Sequence, residues 1–390
     1  MKKILASLFL FAVPLFVKAQ VPASHHVVIV MEENHSYSSV IGSSSMPYLN
    51  SLAGKYGLAT QYYANTHPSI GNYFMLTAGQ LVTNNDSLNS TVNIDNIVRH
   101  LLIAGKTWKG YAESLPFVGY TGGDAYPYVH HHNPLSYFTD VANSSVQKLN
   151  LVPFSHFSSD LVNNALPNYS FVVPNINHDA HDCPTGPTGC TDVQKLATAD
   201  AWLKNHIAPL LSNPAFQKDG ILIIVFDESS TTDTAHGGGR VAAVVIGPKV
   251  KAGFKSTTFY QHQNILRTIL DALGVKTYPG SAATAKDMAD FFGATSTSGV
   301  ACTAASPGVN VCSPAADSTA GSSVHFVAAA SSTHPITTMR IYIDNAARYT
   351  VNASSLNTSL AVADGTHSVV VQAWDSNGTM FKTPLTIHVQ

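Results

Sequence analysis

Four near-continuous apolar runs punctuate the first three quarters of the chain: "HHVVIVM" (25–31), "YSFVVPN" (169–175), "GILIIVFDE" (220–228) and "VAAVVIG" (241–247). Runs this rich in Val and Ile are the pattern of strands buried on both faces, as in parallel sheets covered by helices. Between them lie segments with helical spacing. In "VQKLATADAWLKNHIAPLLSNP" (193–214), Leu196, Leu203, Ile207, Leu210 and Leu211 fall on one face, and "QNILRTILDALG" (263–274) ends at Gly274, suited to a left-handed cap. From about residue 24 to 293 the alternation therefore predicts an α/β layer fold with a mostly parallel sheet.

The pattern changes after that. The stretch from 294 to 323 is small and polar, and we read 294–313 as a linker holding a disulfide. The runs "SVHFVAAA", "MRIYIDN", "HSVVVQAW" and "LTIHVQ" then alternate with period two and are separated by turn signals such as "ADGT" and "SNGT". They predict a small all-β sandwich over 314–390.

At the other end, "MKKILASLFLFAVPLFVKAQ" has two lysines, an apolar stretch too short for a stable span, and small residues before Gln20. This is the form of an export signal cleaved after Ala19, and it places the mature chain, 20–293 and onward, outside the cytoplasm: secreted or periplasmic, with no membrane span left after cleavage. In an exported chain the four cysteines suggest disulfides, and they fall as two close pairs, Cys183 with Cys190 and Cys302 with Cys312. Charged residues make up only 11% of the 390, without any Lys/Arg cluster, so nucleic-acid binding is not expected.

Against that low charge, the strand ends stand out. Glu32, Glu33, Asn34 and His35 follow the first run; Asp227 and Glu228 follow "ILIIVF"; "FVVPN" leads to His178, Asp179, His181 and Asp182. Ligands of open α/β sheets sit beyond the carboxyl ends of strands. Carboxylates gathered there repel one another, and a divalent cation with oxygen donors relieves the repulsion. Taken singly, "EENHS" also reads as a helix cap and the acid pair as an exposed loop. The histidines 130–132 follow no buried strand and read as surface loop.

The stretch "THPSIGNYFMLTAG" (66–79) places Ser69 before a helix-like run, with Asn72 three residues on. A hydroxyl at a helix N-terminus beside a cation suits phosphoryl transfer, although a serine there is also an ordinary cap. "HPSIG" is one residue away from the G-x-S-x-G elbow of serine esterases, which keeps a metal-independent esterase open.

In order, "EENHSYSSVIG", "HPSIGNYFMLTAG", "PNINHDAHDC", "DAWLKNHIAPLL", "FDES" with "HGGGRVAAVVIGPKVKAG", and "YQHQNILRTILDALGV" resemble the bacterial phosphoesterase family of acid phosphatases and phospholipases C, within the alkaline-phosphatase-like superfamily. The resemblance covers about 25–293 and implies an α/β/α sandwich. It implies Ser69 as nucleophile, Asn72 on a phosphate oxygen, Glu33, Asn34, Asp227 and Glu228 at the positions of a divalent metal ion, and His181 with Asp182 near the leaving group. His236 before "GGG" is similar to the histidine of the superfamily's "D-H-G" signature, but "SSTTDTA" lacks the preceding Asp, and Gly71 stands where many relatives have proline. "DGTHSVVVQAWDSNG" resembles the end of bacterial Ig-like domains, which implies a surface or polymer contact for the C-terminal unit. The expectation is a metal-dependent phosphomonoesterase acting on phosphate esters; a phospholipase C, a serine esterase and an adhesive surface protein are the alternatives.

Overall fold

The computed structural model describes residues 20–293, 302–304 and 307–390. The expected export signal and the segment 294–301 lie outside the described residues. The chain divides into two compact units, 1–295 and 296–390.

The first unit is built on eight strands: β1 (Val27–Glu32), β2 (Gly57–Ala59), β3 (Trp108–Ala112), β4 (Leu151–Pro153), β5 (Tyr169–Val173), β6 (Ile221–Phe226), β7 (Ala243–Ile246) and β8 (Phe254–Ser256). They lie in the order β4-β3-β5-β1-β6-β7-β2-β8. Only β7 runs against its neighbours; every other pairing is parallel. All four apolar runs form strands. The residues of β1, β5, β6 and β7 are buried throughout, which is why those runs show no alternation.

Two groups of helices cover this sheet. Helix Pro47–Lys55 packs with Asp192–His206, and helix His262–Ala272 packs with Ile70–Ala78 and Ile97–Ile103. The expected helical stretch at 193–214 is interrupted after His206, and a short helix Ala208–Ser212 follows with Pro209 in its first turn. Gly274 takes φ +74° just past the end of His262–Ala272, as a left-handed cap residue should. The unit is an α/β sandwich on a mostly parallel sheet.

The second unit is all-β. Its strands β9 (Gly308–Ser313), β10 (Ser318–Ala320), β11 (Ser323–Ser331), β12 (Ile336–Ile343), β13 (Ala346–Val351), β14 (Ser355–Ala361), β15 (Gly365–Asp375) and β16 (Met380–Val389) form a five-stranded and a three-stranded sheet. They share a core that includes Phe326, Met339, Ile341, Val369 and Val371. The stretch 294–313, expected as linker, supplies a strand: β9 pairs antiparallel with β11, because alternate residues of "GVNVCS" are apolar enough to close the smaller sheet. Both expected disulfides are present, Cys183–Cys190 and Cys302–Cys312. Among the described residues no helix is long and apolar enough to cross a membrane.

The glycine run after His236 stitches two distant segments together. Gly238 N–H donates to Ala64 O (3.2 Å), Ala64 N–H to Gly239 O (2.9 Å), and Ser229 N–H to Gly238 O (2.9 Å). Gly237 sits at φ +111°, and a Cβ there would collide with the Asn65 carbonyl oxygen. Glycine alone suits that position. Gly237→Ala is therefore expected to lower stability by about 2–4 kcal/mol, read by urea unfolding, because both the dihedral and the close approach are lost. A loss under about 1 kcal/mol would show that the segment relaxes freely.

Candidate active site

Parallel pairing of β5, β1 and β6 brings their carboxyl ends side by side, so the loops that follow converge. Backbone bonds lock the convergence: Glu33 N–H donates to Asp179 O (2.7 Å) and Asp227 N–H to Glu32 O (2.9 Å). Asn34 turns the chain away with φ +56°, a conformation asparagine tolerates, and its N–H donates to Asp227 Oδ1 (3.0 Å).

Glu33 is the hub. Its Oε2 accepts from Ser69 Oγ (3.1 Å), its Oε1 accepts from Tyr73 Oη (2.5 Å), and His132 Nε2 lies 3.3 Å from Oε1. The other nitrogen of His132 is 3.3 Å from Asp179 Oδ2. Tyr73 stacks flat on His132 with ring centres 5.2 Å apart. On the opposite flank His67 Nδ1 is 3.2 Å from Glu228 Oε2, while its Nε2 faces Asp233 O (3.0 Å). His262 Nε2 lies 2.7 Å from the Asp227 carbonyl.

Ser69 precedes helix Ile70–Ala78, yet it is not behaving as a cap. A capping serine has extended dihedrals and accepts from the first turn. Here φ and ψ are both −49°, and Oγ makes no capping bond but donates to Glu33 instead. The first-turn N–H of Ile70 is taken by Asp86 Oδ1 (3.1 Å).

The carboxylates are held far from their ordinary state. Burial, then Asp227 and Asp179, drive the pKa of Glu33 well up. Burial pushes Asp179 up to about 7 and Asp227 up to about 6, and burial followed by the charges of Asp227 and Asp86 pushes Glu228 up to about 9. No lysine or arginine is among the main groups acting on these four. Burial also drives His132 well below its usual range, which favours the neutral ring, whose one unprotonated nitrogen can act as a ligand.

A cation resolves the imbalance, and the donors fit one. Both nitrogens of His132, Asp179 Oδ2 and Asp227 Oδ2 are buried without a hydrogen-bond partner. Glu33, His132 and Asp179 each present one ligand atom, all within 4.8 Å of one another. Carboxylate oxygen with imidazole nitrogen, and no thiolate, is a donor set for a divalent metal ion.

The structure brings most of the sequence-derived residues together. Glu33, Ser69, Asp227, Glu228 and Asn72 form one connected group, Asn72 Nδ2 donating to Glu228 Oε2 (3.3 Å) and to Thr66 O (2.9 Å). His181 Nδ1 is 2.8 Å from Asp182 Oδ1, and His181 N–H donates to Asp179 Oδ1 (2.9 Å). Two residues stand apart. Asn34 reaches Asp227 through its backbone, and exposed His236 packs between Tyr63 and Phe259 at ring distances of 4.4 and 4.8 Å. The histidine triplet needs correction: it is not surface loop. His130 and His132 are buried in a short 3-10 turn, and His132 joins the site. Its signal was the company it keeps, since Tyr128, Leu135, Tyr137 and Phe138 around it are all buried.

Stripped of metal, the site titrates in a definite direction. Raised carboxyl pKa values mean that the folded state binds more protons than the unfolded one. The stabilisation is complete below the unfolded values near about 4 and drains away as pH rises through those of Asp227, Asp179 and Glu228, up to about 9. Chelated protein is thus expected to melt lower at about pH 8 than at about pH 5, with added divalent metal raising Tm more at the higher pH. Equal melting of the chelated protein at both values would contradict this electrostatic account.

Comparison with known proteins agrees with the geometry. A model of the phosphoesterase family matches residues 43–276. Phosphatidylinositol-3-phosphatase of Mycobacterium tuberculosis is 35% identical over 276 residues, covering 70% of this chain and 84% of that protein. A probable acid phosphatase of Kluyveromyces lactis is 32% identical over 254 residues, covering 62% of this chain and 56% of that protein, so the chain spans about half the length of this fungal relative. Among solved structures, a protein in the alkaline phosphatase superfamily from Vibrio parahaemolyticus superposes with a TM-score of 0.45 at 13% identity, covering 94% of this chain and 83% of that one. With the family model spanning more than half of its length, the chain belongs to the phosphoesterase family and is a hydrolase acting on phosphate ester bonds.

Proposed function

We propose that this metal-associated hydrolase is an exported acid phosphatase that cleaves phosphate monoesters through a phosphoserine at Ser69. The observation that carries the reading is the bond from Ser69 Oγ to Glu33 Oε2, made by a serine that forgoes the capping role. The names of the relatives favour monoesters over the diesters of a phospholipase C: one is a phosphatase of phosphatidylinositol 3-phosphate and another a probable acid phosphatase. We assign the site to the alkaline-phosphatase-like superfamily and the C-terminal unit to Ig-like modules on the same basis as the resemblance stated for the sequence. Export rests on the N-terminal segment and on the two disulfides.

In this mechanism Ser69 Oγ attacks phosphorus and its proton passes to Glu33 Oε2, the atom that already accepts it. Tyr73 Oη holds the other oxygen of Glu33 and so orients the acceptor. The ester bond to the alcohol breaks, and half-exposed His181, with Nδ1 engaged by Asp182, presents Nε2 to protonate the leaving oxygen. Water then attacks the phosphoserine and gives a proton to His181, the phosphorus–Oγ bond breaks, and Oγ takes back from Glu33 the proton it gave up as phosphate leaves. Asn72 holds the segment before Ser69, accepting from Asn65 N–H (2.9 Å) and Thr66 N–H (3.2 Å) and donating to Thr66 O (2.9 Å); its other N–H, on Glu228 Oε2 at 3.3 Å, is the donor that a phosphate oxygen would take over. Glu33, His132, Asp179, Asp227 and Glu228 would hold the divalent ion, which when bound supplies positive charge for the transferring group and lowers the pKa of the serine hydroxyl.

Ser69→Ala is expected to fold and to bind metal while losing roughly three or more orders of magnitude in turnover of a phosphomonoester. Acid-quenched wild type should carry phosphate on the peptide containing "HPSIGNY" by mass spectrometry. Near-normal turnover of folded Ser69→Ala would point to direct attack by water. Asp227→Ala should lower metal content and activity together; full metal occupancy in that variant would remove Asp227 from the ligand set, and activity untouched by chelation would favour the serine esterase.

A further inference from the structure

Asp86 lies in a part of the chain that the mechanism leaves idle, on the loop between helices Ile70–Ala78 and Ile97–Ile103. The loop is firmly placed. Asn84 Nδ2 donates to Thr66 Oγ1 (3.0 Å), Tyr137 Oη donates to Leu88 O (3.0 Å), and Leu88 N–H donates to Asn85 O (2.9 Å). Gly71 makes the approach feasible, since a Cβ there would lie 2.5 Å from both Asn84 Oδ1 and Thr66 Cγ2. The missing side chain at Gly71 lets the loop lie against the first turn of the helix that carries Ser69.

The consequence is a carboxylate bonded to the backbone of the residue next to the nucleophile, Asp86 Oδ1 to Ile70 N–H at 3.1 Å. Asp86 is half-buried and in reach of solvent. None of the ion pairs among the described residues includes it. Because Ile70 follows Ser69 directly at the start of the helix, the carboxylate sits within one residue of that hydroxyl. In a site for a phosphate anion this placement is adverse twice. It occupies a helix N-terminal N–H that otherwise favours anions, and it adds a negative charge beside the reacting group. An unfavourable element held this rigidly discriminates between ligands rather than tightening all of them.

Resting on the phosphomonoesterase reading above, we infer that Asp86 is a specificity-determining residue that favours phosphomonoesters of cationic or uncharged alcohols and disfavours those carrying a second anionic group. The interaction is one between charges near a solvent-accessible rim. It therefore appears mainly in KM and is screened by salt.

The test compares kcat/KM for phosphoethanolamine, whose amine is cationic, with that for phosphoglycolate, whose carboxylate is anionic, taking p-nitrophenyl phosphate as the reference. Wild type should prefer the amine ester. Asp86→Asn keeps an acceptor for Ile70 N–H and removes the charge, so the preference ratio should fall about tenfold, chiefly through KM. Salt at about 1 M should shrink the wild-type ratio and leave that of the variant nearly flat. A purely structural role for Asp86 would move both substrates alike. A ratio within twofold of wild type in Asp86→Asn, or a wild-type ratio insensitive to salt, overturns the inference while hydrolysis of p-nitrophenyl phosphate persists. Failure of the metal-loaded wild type to hydrolyse p-nitrophenyl phosphate would instead sink the phosphatase reading and this one with it.

Discussion

Glu33, Asp179, Asp227 and Glu228 are buried together at the ends of adjacent strands, and no lysine or arginine stands among the main groups acting on them. Four carboxyl groups in that setting cannot all ionise without a compensating charge, because desolvation and mutual repulsion both favour the proton. Much else in the first unit follows from this constraint. The backbone bonds from Glu33 to Asp179 and from Asp227 to Glu32 fix the acids so that they cannot drift apart, which makes a shared cation the stable solution. Structure and chemistry then depend on the same ion, and metal removal touches both.

The sheet supplies the rigidity. Strands β1, β5 and β6 are buried along their whole length, so the positions of their last residues are set by packing and not by loop conformation. The two consecutive acids after "VVIVM" are separated by this geometry. Glu33 bonds Tyr73 of helix Ile70–Ala78, whereas Glu32 lies under the influence of Asp179, of Asp200 on helix Asp192–His206 and of Glu113. Burial drives Glu32 well above the usual carboxyl range, and neither of its oxygens has a hydrogen-bond partner among the described residues, so it is carried as a neutral acid outside the reactive cluster.

Composition and spacing made the frame legible because buried parallel strands leave a contiguous mark: every one of the four apolar runs became a strand, and the acids that follow them converge as strand-end chemistry requires. Loop residues were harder to read. His132 reaches the site from a turn with no strand before it, and only the fold puts it between Glu33 and Asp179. Tyr73 is apolar in pattern and polar in use, its ring packed and its hydroxyl on Glu33, so helical periodicity assigns it to the core alone. Spacing also treats Asn34 as one more side-chain donor, although a left-handed backbone turns its N–H to Asp227. The end of the expected linker is hidden in the sequence for a simpler reason: a short edge strand of small residues, β9, differs little in composition from an extended connector.

Every residue of helix Ile70–Ala78 is buried, which explains how a single hydroxyl can be positioned without a capping bond. Phe74 packs on Tyr137 and Phe138, Tyr73 packs on His132 and Phe171, and Gly79 closes the helix with φ +66°. The dihedrals of Ser69 continue the helix backward, so its Oγ is a fixed projection of a packed element. A hydroxyl on a free loop would keep conformational freedom that this arrangement has already lost on folding. The placement of Ser69 is in this sense a property of the core, and its hydroxyl, free of a capping bond, is held on Glu33 instead.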